Sequence, residues 1–254
     1  MFTFALAGLL AGSFLNSLID RFPREESIFA IRSRCDSCGE PVRIAHRIPI
    51  FGSILARRHS RSCGARFPIR HLAVEIGTTA LFALIWLQYP GTWETMLVAF
   101  YSSLLIVFFV IDLEKGLVLD RVTYPAIAVA LLFALRIPER SALEMLAGGT
   151  IAFGILAAME FLLPSGKGMG VAKLGAFIGL AIGFPTIWAA LLFASFFGVL
   201  IYGGLMLTRV IDRKRPIAIG SLLAAGAIAA MLFGELIIRW GESGFGQMVN
   251  LLST

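Results

Sequence analysis

The chain has 254 residues, of which 58% are hydrophobic and only 15% charged, with a mean hydropathy of +0.85. So large an apolar excess excludes an ordinary soluble domain of this length and points to a polytopic membrane protein. The net charge of +6 is concentrated, since residues 20–70 hold eleven arginines against five acidic residues; with no nucleic-acid-binding motif beside it, this block reads as an orientation signal between membrane spans.

Residues 2–19 are apolar from the start, without a basic n-region or a convincing small-x-small cleavage site, and read as a retained first span rather than a removed signal peptide. A basic, cysteine-containing loop follows over residues 20–70, and residues 71–254 form the main membrane domain. A bilayer core about 30 Å thick takes roughly 20 apolar residues of helix. On that measure the spans are predicted at 2–19, 71–88, 95–112, 122–136, 143–163, 173–184, 186–207 and 217–238. The stretch 173–207 is too long for one helix, and Gly183-Phe184-Pro185 breaks it, because proline lacks a donor and disfavours helix in the residue before it. The expected fold is thus all-α, with about eight transmembrane helices and a small domain inserted after the first.

Basic residues mark the cytoplasmic side of a membrane protein. The 20–70 loop, with Arg209, Arg213, Lys214 and Arg215, places residues 112–121 and 164–172 on that side as well. Arg136, Arg140 and Arg239 then lie outside, against the rule.

Asp112 closes the run Val107-Phe108-Phe109-Val110-Ile111 and so sits at the lipid boundary, where ionisable groups are costly and tend to be functional or paired. The plainer alternative is an interfacial stop that faces water with Glu114 and Lys115. Glu160, four residues before Pro164, and Glu75, one turn into the second span, are further carboxylates in the same layer. Either is read more readily as a hydrogen-bonding link between helices than as a catalytic group. Gly166, Gly168 and Gly170 permit unusual backbone angles or the close approach of an extended peptide. They do not form a phosphate loop, because Lys173 is not part of a Gly-Lys-Ser/Thr ending.

All three cysteines lie in the first loop, as Cys35-Asp36-Ser37-Cys38 and then Cys63. In a cytoplasmic loop a Cys-x-x-Cys pair fits a metal knuckle better than a disulfide. A structural zinc would hold in shape a basic unit too small to fold on its own core.

Several segments together resemble the type IV prepilin peptidases, a family of membrane aspartic proteases. Gly12-Ser13-Phe14-Leu15-Asn16 with Arg21-Phe22-Pro23 is similar to the family's opening signature, and Ser33 to Cys38 and Ile48-Pro49-Ile50 follow in its order. Ile111-Asp112-Leu113-Glu114, then Leu119-Asp120 and Thr123-Tyr124-Pro125, resembles the first catalytic motif. Gly168-Met169-Gly170-Val171-Ala172-Lys173-Leu174 resembles the loop that carries the second. Pro216 to Gly220 is a degenerate form of a Pro-Phe-Gly-Pro segment that starts the last helix.

The resemblance implies that Asp112 is catalytic, while Asp120 is read as a cap of the next helix, where acidic charge is favoured. It also places Val171 where the family has its other catalytic aspartate. Two neighbouring carboxylates share a proton in aspartic proteolysis, so that one activates water while the other donates to the scissile carbonyl. Valine does neither, which leaves Glu75, Glu160 and Lys173 as substitute or supporting groups. In the family a second cysteine pair completes a four-thiolate zinc site. Here its first member falls at Ser60, so that Cys35, Cys38 and Cys63 with His59 form the expected set and His46 is a less suitable fourth ligand. The implied partner is a type IV prepilin or pseudopilin, cut at the cytoplasmic face of the bacterial inner membrane. Bifunctional members also methylate the new N-terminus with S-adenosylmethionine. Two other readings stay open on the sequence alone: a prepilin-binding homologue inactivated by Val171, and a small transporter that uses Asp112, Glu160 and Glu75.

Overall fold

The computed structural model describes residues 1–24, 69–91, 93–136, 141–162, 169–207 and 218–252. Among these are eight α-helices: α1 (Phe2–Arg21), α2 (Ile69–Gln88), α3 (Trp93–Lys115), α4 (Asp120–Arg136), α5 (Ala142–Leu162), α6 (Gly170–Ile182), α7 (Ile187–Leu207) and α8 (Ile219–Leu252). A single 3₁₀ turn, Phe22–Arg24, extends α1. Each expected span falls on one helix, although α8 runs to Leu252 where the expected span ends at 238. Helix is what a chain in hydrocarbon requires, because every backbone donor and acceptor must be satisfied within the segment.

By length and composition, five helices are fit to cross a membrane: α1, α2, α3, α5 and residues 187–204 of α7. The chain is therefore a multi-pass membrane protein. Helix α6 and the Ile219–Gly234 part of α8 are apolar but shorter, and α4 has 17 residues. Leu192, Phe196, Val199 and Leu200 project from α7 without protein cover, as expected of a face turned to lipid.

The chain divides into two compact units, Met1–Val107 and Phe108–Thr254. In the first, α1 and α2 pack along a glycine seam. A methyl added at Gly8 would lie 2.8 Å from Phe82 Cβ, and one at Gly12 would lie 2.9 Å from Glu75 Cα. Without side chains there the helices come close enough for dispersion contacts to hold them in a solvent that supplies no hydrophobic drive. Phe4 stacks on Phe82 with ring centroids 5.2 Å apart. At the other end of this pair the Asn16 side-chain amide donates to His71 O at 2.9 Å, and Asp20 binds Arg70 and His71.

In the second unit α5 lies against α6 even more closely, since a Cβ at Gly179 would meet Gly148 O at 2.2 Å. Gly183, at φ 80°, ends α6 in a conformation that favours glycine, and its amide bonds to Gly179 O at 2.8 Å. The Phe184 amide then donates to Glu144 O at 2.9 Å, which ties the α6–α7 junction to the start of α5. Helix α8 packs on α7, where a Cβ at Gly226 would stand 2.5 Å from Ala190 O.

Candidate active site

Asp112 lies one turn before the end of α3. That helix stops because Gly116, at φ 67°, returns its amide to Asp112 O at 2.8 Å. Four residues after Gly116, α4 begins at Asp120. In its first turn the amides of Val122 and Thr123 bond to Leu119 O at 3.0 and 3.1 Å, and the Thr123 hydroxyl donates to the same oxygen. Asp120 therefore occupies the first helical position, where an acidic side chain suits the helix dipole.

The Asp120 side chain is directed elsewhere than a cap. Lys173 Nζ donates to both of its carboxylate oxygens, at 2.8 and 2.9 Å. The same ammonium stands over the Tyr124 ring, 4.8 Å from its centroid. One residue group along, Gly170 faces Val118, whose Cβ would lie 3.1 Å from a methyl at Gly170. Phe108 meets Phe177 with centroids 5.9 Å apart. Gly170, at the start of α6, is thus brought against the segment that follows Asp112, at one end of the second unit.

Asp112 itself is only 1% exposed. Its Oδ2 accepts the backbone amide hydrogen of Ser221 at 2.7 Å, a buried bond that joins α3 to the first turn of α8. Ser221 Oγ donates to Ala218 O at 2.7 Å, and the Ala218 amide donates to the Tyr202 hydroxyl oxygen of α7 at 2.7 Å. A methyl at Gly220 would lie 3.0 Å from both Cγ and Oδ2 of Asp112. The carboxylate is therefore fixed on one side by an amide and abutted by a residue with no side chain.

The other sequence candidates divide clearly. Val171 and Ala172 are buried and apolar, so the turn at the second motif presents no carboxylate. Glu160 is half-buried near the end of α5. Glu75 is buried in the first unit, and its backbone carbonyl accepts the Thr79 hydroxyl at 2.7 Å. Gly168, Cys35, Cys38, His59 and Cys63 lie outside the described residues. Among the described residues no cluster of His, Cys, Asp or Glu is arranged to hold a metal ion.

Sequence reading missed the contribution of Gly220 and Ser221 to the Asp112 environment and the Asp120–Lys173 pair. One local signal was present for the former. Ala218 precedes α8 where a capping Ser, Thr, Asp or Asn is usual, and such a helix needs an acceptor from elsewhere for its first amides.

Chemically, a buried carboxylate that accepts an amide hydrogen bond is a group able to exchange a proton with water. Residues 6–89 match the bacterial peptidase A24 N-terminal domain, and residues 99–203 match the type IV leader peptidase family. The chain is 32% identical over 236 residues to a prepilin leader peptidase/N-methyltransferase of Bacillus subtilis (strain 168), covering 92% of this chain and 94% of that protein. A protein of the same name from Aeromonas salmonicida (strain A449) is 28% identical, with 92% and 91% covered. One from Klebsiella pneumoniae is 33% identical, with 75% and 88% covered. No solved structure matches the chain.

Proposed function

The chain belongs to the type IV leader peptidase family, and from that premise we propose that it is a membrane endopeptidase. It cuts the leader from type IV pilin-like precursors at the cytoplasmic face of the bacterial inner membrane. The single observation that carries this reading is the placement of Asp112, buried and hydrogen-bonded, at the same end of its unit as the Gly170–Lys173 turn. The substrate's apolar stem would remain in lipid while its peptide bond entered beside that turn.

Asp112 is assigned as the carboxylate that takes a proton from the attacking water. The departing amine needs a proton in return, and Val171 has none to give. That role falls to another acid of the chain, for which Glu160 is the candidate within the unit that holds Asp112. Lys173, held by Asp120, keeps the turn in place rather than exchanging protons.

The relatives are also named N-methyltransferases, and a second activity of this chain would methylate the new N-terminal amine. S-adenosylmethionine is the methyl donor that this chemistry calls for. For the 20–70 segment we propose a structural zinc on Cys35, Cys38, Cys63 and His59, because three thiolates and an imidazole are soft donors that suit that ion.

The test uses the purified full-length chain in liposomes with a type IV prepilin. Cleavage is expected from the wild type and should fall by at least about 10²-fold in Asp112→Ala, the scale of one lost acid–base group. A wild type that never cuts, alongside a Val171→Asp variant that does, would replace this reading with that of a prepilin-binding relative that lacks peptidase activity.

A further inference from the structure

Helix α8 starts against Asp112, a residue 109 positions earlier in the chain. Its first turn has no capping side chain of its own. Ala218 holds the cap position, and the hydroxyl within the turn, Ser221 Oγ, is bonded to Ala218 O. The third amide of the helix, that of Ser221, is one of the donors a helix cannot satisfy internally, and Asp112 Oδ2 accepts it at 2.7 Å. An amide-to-carboxylate bond of this length, at the positive end of a helix dipole, is a strong and directional contact. Gly220 makes the approach feasible. Any side chain there begins with a Cβ 3.0 Å from Asp112 Cγ and Oδ2 and 3.3 Å from its Cβ. The Asp112 side chain is short and buried, so a Cβ at Gly220 would press directly on the group that accepts the Ser221 amide.

We propose that Gly220 and the Ser221 amide are positioning residues for Asp112, and that the first turn of α8 holds Oδ2 as a hydrogen-bond acceptor and so fixes the angle at which the carboxylate is presented. The proposal rests on the assignment of Asp112 as the cleavage carboxylate. It makes the first turn of the last helix the part that sets the angle of the carboxylate. Tyr202 extends the arrangement by accepting the Ala218 amide, so that α7 helps to fix the same turn.

Two measurements on the full-length chain in nanodiscs test this. In prepilin cleavage, Gly220→Ala should lower kcat at least about 10-fold with KM within about twofold, the signature of a displaced reacting group rather than of lost binding. Gly154→Ala, where an added methyl meets nothing within 4 Å, should keep the wild-type kcat. If only Val171→Asp cuts, the same comparison is made in that background. In amide hydrogen exchange read by NMR, Asp112→Ala should speed exchange of the Ser221 amide at least about 10-fold. This second readout needs no catalysis and no folded Gly220 variant. An unchanged Ser221 exchange rate in Asp112→Ala, or wild-type kcat in Gly220→Ala, overturns the proposal. Undiminished cleavage by Asp112→Ala removes instead the assignment of Asp112 as the catalytic group, and is told apart because Ser221 exchange then still changes.

Discussion

Lys173 occupies a place that helix stability alone does not explain. It lies in the first turn of α6, where a positive charge opposes the helix dipole. Asp120 of α4 offsets that charge with two hydrogen bonds, and the Tyr124 ring lies beneath it. Exposed ion pairs contribute little to stability, so the value of this one is positional: it pins the turn that carries Gly170 and Val171 to the segment after Asp112. Lys173→Met is therefore expected to leave thermal unfolding almost unchanged while prepilin cleavage falls on the order of 10-fold, a modest instance of the loss that misplaced groups cause. The exchanged pair Asp120→Lys with Lys173→Asp should recover part of the activity. An equal fall in thermal midpoint and in cleavage would show the pair to be structural only. Neither residue's partner was legible in the sequence. They stand 53 positions apart, and nothing local to Asp120 distinguishes a residue that caps its own helix from one that reaches across to another.

The helices themselves were largely legible, because apolar runs of bilayer length and a Gly183-Phe184-Pro185 break are local features. Most of their bounds moved by only a few residues, as with α6, which starts at Gly170 where the expected span starts at 173, but α8 runs on to Leu252 where the expected span ends at 238. What a one-dimensional pattern does not give is which faces meet. Glycines are spread through the chain, yet only some lie in a seam. A Cβ on Gly179 would stand 2.2 Å from the Gly148 carbonyl oxygen, whereas Gly77 has nothing within 4 Å. The backbone of a neighbouring helix cannot turn aside as a side chain can, so Gly179→Ala must push α5 and α6 apart. We expect a loss of about 1–3 kcal/mol, the usual cost of overpacking. It should appear as a lower unfolding midpoint in detergent, with Gly77→Ala at the wild-type value. Matching midpoints for the two variants would mean that the α5–α6 seam is not as close as described.

Orientation in the bilayer follows from the whole second unit taken with the basic residues. The end of α3, the starts of α4 and α6, the end of α7 and the start of α8 are linked by Gly170 on Val118, Lys173 on Asp120, Ser221 on Asp112 and Ala218 on Tyr202. The opposite end joins the start of α5 to the α6–α7 junction through the Phe184 amide on Glu144 O. This sorting agrees with the expected alternation of loops, and Arg209, Arg213, Lys214 and Arg215 lie in the sequence between α7 and α8. Lysine and arginine near span ends are retained on the cytoplasmic side, so the end that holds Asp112 should face the cytoplasm. Alkaline phosphatase, which is active only after export, reads this directly. Fusions after Leu117 and after Arg215 should be inactive, and fusions after Pro138 and after Phe184 should be active. Activity at Leu117 together with inactivity at Phe184 would invert the unit, and Asp112 would then meet its peptide on the far side of the membrane, where a basic leader held back by the positive-inside rule would not reach it.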